Sequence, residues 1–372
     1  MKTSTILWGL VVVLVIVGVA TLSGNKTSDD TVKIGAILPV TGWGAYWGEK
    51  EIRGIELAKD DIAAVGGKVE VIVEDGATDA AKSVNVAQKL INVDKVHAFF
   101  TEFTAPAGAT APLSKQYGVP MIYDAVTKSP LKASPYAFKA YFDIDKQCYV
   151  AAKTLADEGK KRIGTVLINL DFNAECKDAV ERAIVGKNIT VFAYDFPIET
   201  VDFRTIIAKM KADKIDAVVP VFYEDNSIAF FKQLGDLKFK PAVFMGIGVP
   251  DGFTEKVRSS VAKEVLEGVR TYDQKINEDF KTKIKAKYPE ISDSELLSAA
   301  YGYDETMYLY RGVSACANKR DAVCVTAKIL ADKDYKGALD TVSFGGNRIL
   351  NLVPHFFEYK NGALVEFVPD VE

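Results

Sequence analysis

The chain has 372 residues, more than one hydrophobic core ordinarily serves, so two domains of roughly 100–200 residues each are expected. Hydrophobic residues make up 48% and charged residues 26%, a composition that excludes a disordered chain. The net charge of −4 comes without a basic stripe, which excludes nucleic acid as a partner.

The N-terminus is the clearest local signal. Lys2 precedes an apolar run from Ile6 to Leu22, and a polar stretch from Ser23 to Thr31 follows. This is the pattern of an export signal within residues 1–24, with Gly18 and Ala20 as small residues for cleavage. No Cys follows the run, which excludes a lipoprotein anchor at that junction. The run also approaches the about 17–25 residues that span a bilayer, so retention as a membrane anchor stands beside cleavage. Either way the bulk of the protein is expected outside the cytoplasm.

Residues 32–38, VKIGAIL, read as a buried strand closed by Pro39. A Gly-rich turn and a helix carrying Ile52, Ile55, Leu57 and Ala58 follow, ended by Gly66-Gly67. VEVIVED is the next strand. Residues 79–93 form an amphipathic helix, VHAFF a strand, 106–117 a helix and VPMIYD a strand. The rhythm then restarts with a helix over 146–158, strand RIGTVLIN, helix 174–185, strand ITVFAYDF, helix 202–212, strand AVVPVFY, helix 226–235 and strand AVFMGI. Strands alternating with single helices argue for parallel, doubly wound sheets, and the restart argues for two α/β lobes. Residues 277–334 are mostly helical, with helices at 277–287 and 294–317. The tail ends in short strands around an Asn361-Gly362 turn and is expected to return and complete the two lobes.

Four cysteines are present, an even number in an exported chain. Cys316 and Cys324 flank a short polar loop, which favours their pairing and leaves Cys148 with Cys176; free buried thiols are the alternative. No spacing matches a zinc site, and no metal or cofactor is expected. Two glycine runs, Gly42/Gly44/Gly48 and Gly246/Gly248/Gly252, fall one residue off the dinucleotide spacing. Bulky Tyr46 and Trp47 stand where a pyrophosphate needs backbone contact, and only Glu74 and Asp75 are placed for a ribose. His97 lies in an apolar strand and His355 in the tail, neither with a nucleophile motif, so an enzyme is not expected.

Ligands of open α/β sheets bind beyond the carboxyl ends of the strands. Those ends carry Trp43, Tyr46 and Trp47, then Thr101, Glu102 and Thr104, then Tyr123, Asp124 and Thr127. The second lobe offers Asp171 and Phe172, Tyr223 and Glu224, and Asp251. Aromatics, hydroxyls and carboxylates on one edge suit a small polar, zwitterionic ligand. Thr104 precedes Pro106 at a helix start, where free N–H groups receive a carboxylate.

VKIGAILPVTG, AYWGEKEIRGIELAKDDIAAVGG, VEVIVEDGATDAAKSVNVAQKLI, FTEFTAPAGATAPLSKQYGVPMIYDAVTKSP, VDFRTIIAKMKADKIDAVVPVFY, AAYGYDETMYLY and YKGALDTVSFGGN together resemble the type I periplasmic solute-binding proteins. The branch is the leucine-binding-protein-like substrate-binding subunit of branched-chain amino acid and amide ABC transporters. The resemblance covers nearly all of the chain after the N-terminal segment. It implies two Rossmann-like lobes joined by three crossovers and closing by a hinge, with residues 31–143 and 273–345 in the first and 144–272 and 346–372 in the second. It places Trp47 near the ligand side chain, Thr104 on the ligand carboxylate, Ala125 and Thr127 at a carbonyl and hydroxyl subsite, and Phe172 and Tyr223 as closing aromatics. Gly248 stands where amino-acid-binding members carry an acid for the ammonium, leaving Glu102, Glu224 or Asp251 as substitutes. The implied partner is an ABC permease in the membrane; a sensor module anchored by residues 6–22 is the alternative.

Overall fold

The computed structural model describes residues 30–370, apart from 334 and 341. The expected signal or anchor lies outside the described residues. Among those described, no helix is long and apolar enough to cross a membrane.

The apolar run VKIGAIL forms β1 (Val32–Leu38), and α1 (Ala45–Ala64), β2 (Val69–Asp75), α2 (Ala80–Asn92), β3 (Ala98–Glu102), α3 (Thr104–Tyr117) and β4 (Met121–Asp124) follow in strict alternation. Two short elements complete this unit: α4 (Ser129–Ala133) and β5 (Ala137–Lys139). They are too short for a periodicity count to reveal. The sheet is parallel in the order β2-β1-β3-β4-β5. Its central strands β1 and β3 are buried nearly throughout, as the unbroken apolar runs require.

The second unit repeats the design with α5 (Ile144–Asp157), β6 (Arg162–Ile168), α6 (Asn173–Ala183), β7 (Thr190–Phe196), α7 (Arg204–Ala212), β8 (Ala217–Val221), α8 (Glu224–Asp236) and β9 (Ala242–Val243). Its parallel order is β7-β6-β8-β9. The segment AVFMGI is strand for only two residues; beyond them Phe244 N still donates to Val218 O (3.1 Å) while Met245 N donates to Arg270 O (2.8 Å). Short helices α9 (Val249–Gly252), α10 (Glu255–Ser260) and α11 (Lys263–Leu266) lead to β10 (Arg270–Gln274).

The rest of the chain serves both lobes. Helices α12 (Glu278–Lys287) and α13 (Leu296–Ser314) bring Phe280, Ile284 and Leu309 into the core beside Val32, Ile34 and Phe100; α14 (Ala322–Ala331) adds Val325 and Ile329. Residues 348–350 run beside β5: Lys139 N donates to Arg348 O (2.9 Å) and Leu350 N to Lys139 O (2.8 Å). The hairpin β11 (Pro354–Lys360) and β12 (Ala363–Phe367) then pairs with β10, and Tyr359 enters the second core. Its turn uses Asn361 and Gly362, both at positive φ (53° and 86°), the conformation an Asn-Gly pair favours. Both cysteine pairs are joined: Cys148–Cys176 ties α5 to α6, and Cys316–Cys324 ties the end of α13 to α14, with Cα atoms 5.3 and 6.1 Å apart.

The first crossing between the lobes, after β5, is held by a buried lysine. Lys139 is fully buried, and its Nζ donates to the carbonyls of Tyr141 (2.5 Å) and Phe142 (2.6 Å). Burial pushes its pKa down to about 7. A neutral amine has two N–H groups, matching two carbonyls. The folded chain therefore holds fewer protons than the unfolded chain between pH 7 and the ordinary lysine range, so this group's contribution to stability rises with pH there. Urea unfolding of the wild type relative to Lys139→Met is expected to show that rise, at up to about 1.4 kcal/mol per pH unit. A flat difference from pH 7 to 10 would contradict it.

Candidate functional site

The carboxyl ends of β1, β3 and β4 face those of β6, β8 and β9 across a cavity of about 180 Å³. From the first lobe, Trp43 and Trp47 enter from the β1–α1 loop and the first turn of α1. That loop is tied down by Asp75 at the end of β2, which accepts from Val40 N (3.0 Å), Thr41 N (3.1 Å), Thr41 Oγ1 (2.6 Å) and Lys82 Nζ (2.6 Å). Asp75 is thereby committed to the loop and offers nothing to a ribose. The neighbouring glycines serve packing: a Cβ on Gly48 would stand 2.5 Å from the Pro39 carbonyl oxygen.

Phe103 joins β3 to α3 at φ +69°, a costly conformation for a bulky residue and one that clusters at ligand clamps. Its ring lies 4.8 Å from Trp43 and 5.9 Å from Trp47. Thr104 opens the 14-residue α3, whose first N–H groups have no partner within the helix. Asp124 ends β4, and Ala125 and Val126 follow it. The second lobe supplies Leu170, Asp171 and Phe172 after β6, Tyr223 after β8, and Ile247 and Asp251 after β9.

The lobes meet directly. Tyr223 stacks obliquely on Trp43 and on Trp47, both at 5.4 Å. Asp251 Oδ1 accepts from Trp47 Nε1 at 2.9 Å, and Oδ2 from the Tyr141 hydroxyl in the first crossing. Asp251 is 7% exposed. Burial raises its pKa to about 6, with the Tyr141 and Trp47 hydrogen bonds pulling back. Between pH 4 and 6 the folded state holds the extra proton, so the stabilising part of this shift is lost as pH rises through 6.

A second acid group lies on the first lobe. Glu51 (α1), Glu102 (β3) and Asp124 (β4) are buried and line the cavity, with Glu305 of α13 behind them. Helices α1 and α13 come this close because each presents a glycine to the other's backbone: a Cβ on Gly54 would be 1.8 Å from Ala299 O, and one on Gly302 would be 2.2 Å from Glu51 O. Burial first, then mutual repulsion, pushes all four carboxyls well above their ordinary range.

Of the residues singled out from sequence, Trp47, Thr104, Ala125, Phe172, Tyr223 and Asp251 line the cavity. Thr127 and Glu224 do not. The Thr127 hydroxyl pairs with Ser129 Oγ (3.2 Å), and Glu224 accepts from Thr254 and from Lys256 Nζ (2.8 Å). Sequence reasoning missed Glu51, Tyr141 and the α13 residues Leu297, Ser298 and Tyr301. Neither histidine lines the cavity: His97 Nδ1 accepts from Lys33 N (2.9 Å), and His355 pairs with Glu366 (2.7 Å).

A family model described as periplasmic binding protein matches residues 31–351. The chain belongs to the periplasmic binding protein family. Members of this family are binding proteins rather than enzymes. A Leu/Ile/Val-binding protein homolog 7 of Brucella suis is 26% identical over 272 residues, covering 68% of this chain and 67% of that protein. Among solved structures, a leucine binding protein of Thermotoga maritima superposes with a TM-score of 0.77 at 20% identity, covering 91% of this chain and 98% of the other. The branched-chain amino acid transporter substrate-binding protein of Streptococcus pneumoniae, in complex with isoleucine, has a TM-score of 0.76 at 21% identity, with 91% and 100% covered. A solute-binding protein of an ABC transporter from Rhodopseudomonas palustris BisB5, in complex with 3,4-dihydroxybenzoic acid, has a TM-score of 0.77 at 23% identity, with 91% and 97% covered. These likenesses establish the fold, two doubly wound lobes.

Replacing Asp251 by Ala leaves the Trp47 N–H and the Tyr141 hydroxyl without their acceptor. The variant is expected to lose about 1–3 kcal/mol in urea unfolding at pH 7.5. An unchanged midpoint would remove the bridge from the account.

Proposed function

We propose that the chain is an extracytoplasmic solute-binding protein that captures a small amino-acid-like or amide solute between its lobes and delivers it to an ABC permease. The observation that carries this is a cavity walled by both lobes, with Asp251 and Tyr223 of one reaching Trp47 of the other. A solute seated there touches both halves and stabilises the closed form, which a membrane partner can distinguish from the open one.

Several features support the finer points. The two disulfides suit an oxidising compartment. Relatives bearing Leu/Ile/Val-binding names and structures holding isoleucine or an aromatic acid show which solutes this architecture accommodates elsewhere. The first turn of α3 offers N–H groups and the Thr104 hydroxyl to a solute carboxylate. Residues 31–143 with 273–350 form the first lobe in this reading, and 144–272 with 351–370 the second. The last crossing is set after Leu350, which still packs in the first core.

A thermal-shift screen of residues 25–372 against amino acids, short amides and urea tests this reading. A bound solute at a hundredfold excess over its Kd adds about 2.7 kcal/mol to stability. With an amino acid that binds, Thr104→Ala is expected to weaken affinity by about 1–3 kcal/mol. Wild-type affinity in that variant would remove the carboxylate subsite from α3.

A further inference from the structure

Glu51, Glu102 and Asp124 each place a carboxyl oxygen within 4.8 Å of the other two. Both oxygens of Glu51 and one each of Glu102 and Asp124 receive no hydrogen bond from an N–H or hydroxyl group, the three carboxyls being left to one another, and both oxygens of Glu305 behind them are equally without such a donor. The Tyr301 hydroxyl on the same wall is also unpartnered, in a side chain only 2% exposed. Asp251, by contrast, already has both oxygens engaged. The buried open acceptors of the cavity therefore lie on the first lobe, Asp171 of the second lobe being exposed.

Among the described residues lining the cavity there is no Lys, Arg or His, against five acids. Lys139, on which Asp124 acts electrostatically, is itself committed to the carbonyls of Tyr141 and Phe142. Buried carboxyls in this state either hold protons or receive a cation from outside. An ammonium or guanidinium supplies the several N–H donors that these oxygens lack. The rings of Trp43, Phe103 and Tyr223 offer π faces that also favour a cation, and an apolar wall for a hydrocarbon stem. A bare metal ion would leave that wall and most of the cavity unused. A zwitterion, whose charges cancel, would leave the acids uncompensated.

We propose that the solute carries a net positive charge, lodging an ammonium or guanidinium group among Glu51, Glu102, Asp124 and the Tyr301 oxygen, with its stem along Trp43, Phe103 and Tyr223. This rests on the solute-binding reading and narrows it to amines such as diamines and basic amino acids. The two differ in whether the α3 N-terminus receives a carboxylate.

Isothermal titration of the intact protein with 1,4-diaminobutane, spermidine and L-arginine, against L-isoleucine, 4-hydroxybenzoate and the chlorides of calcium and manganese, tests it. At least one cationic solute is expected to bind about tenfold or more tighter than isoleucine or the benzoate. Glu102→Gln and Asp124→Asn are expected to weaken that solute by about tenfold, while the unliganded variants melt no lower than wild type because each relieves repulsion between buried acids. Preference for isoleucine or the benzoate would overturn the cationic assignment and leave the solute receptor standing. Binding of the metal chlorides alone would overturn it in favour of an ion site. Wild-type affinity in both variants would also overturn it. Silence from every solute would remove the receptor reading and this inference together.

Discussion

One buried carboxylate, Asp251, joins the two lobes. It stands after a two-residue strand in the second lobe, yet its oxygens accept from Trp47 on the first lobe and Tyr141 in the crossing between them. The contact shuts the cleft, and closure gives the other residues their character. Tyr223 meets both tryptophans only because the lobes are together, and the acids of the first lobe face a cavity that the second lobe covers. Low dielectric then turns those acids into a demand for protons or a cation.

The supports of the site lie behind it. Asp75 anchors the loop that carries Trp43, Lys139 holds the carbonyls beside Tyr141, and the glycine contact of α1 with α13 sets the depth of Glu51. None of these residues needs to touch a solute. Each fixes the position of one that lines the cavity, so the cleft keeps its geometry on rigid elements.

Much of this was legible in the sequence, and for physical reasons. Buried parallel strands read as unbroken apolar runs, so β1, β3, β6 and β8 were visible, and with them the strand ends that carry Trp47, Thr104, Phe172 and Tyr223. Asp251 could be named as one of three acids but not chosen, because its partners are 204 and 110 residues away. Thr127 and Glu224 have suitable chemistry, and hydrogen bonds to Ser129, two residues on, and to Lys256, 32 residues on, engage it away from the cavity. Glu51 was hidden in the middle of a helix, where a charged residue ordinarily faces water. Only the approach of Gly302 from α13, some 250 residues on, buries it. Tyr301 was concealed likewise, in a helix whose apolar character says core before it says cleft.

The lobes are drawn together through Asp251, and small-angle X-ray scattering of the unliganded protein tests this most directly. Wild type at pH 7.5 is expected to scatter as the closed structure, and Asp251→Ala to show a larger radius of gyration with an unchanged circular-dichroism spectrum. Superimposable scattering curves for the two proteins would contradict the account.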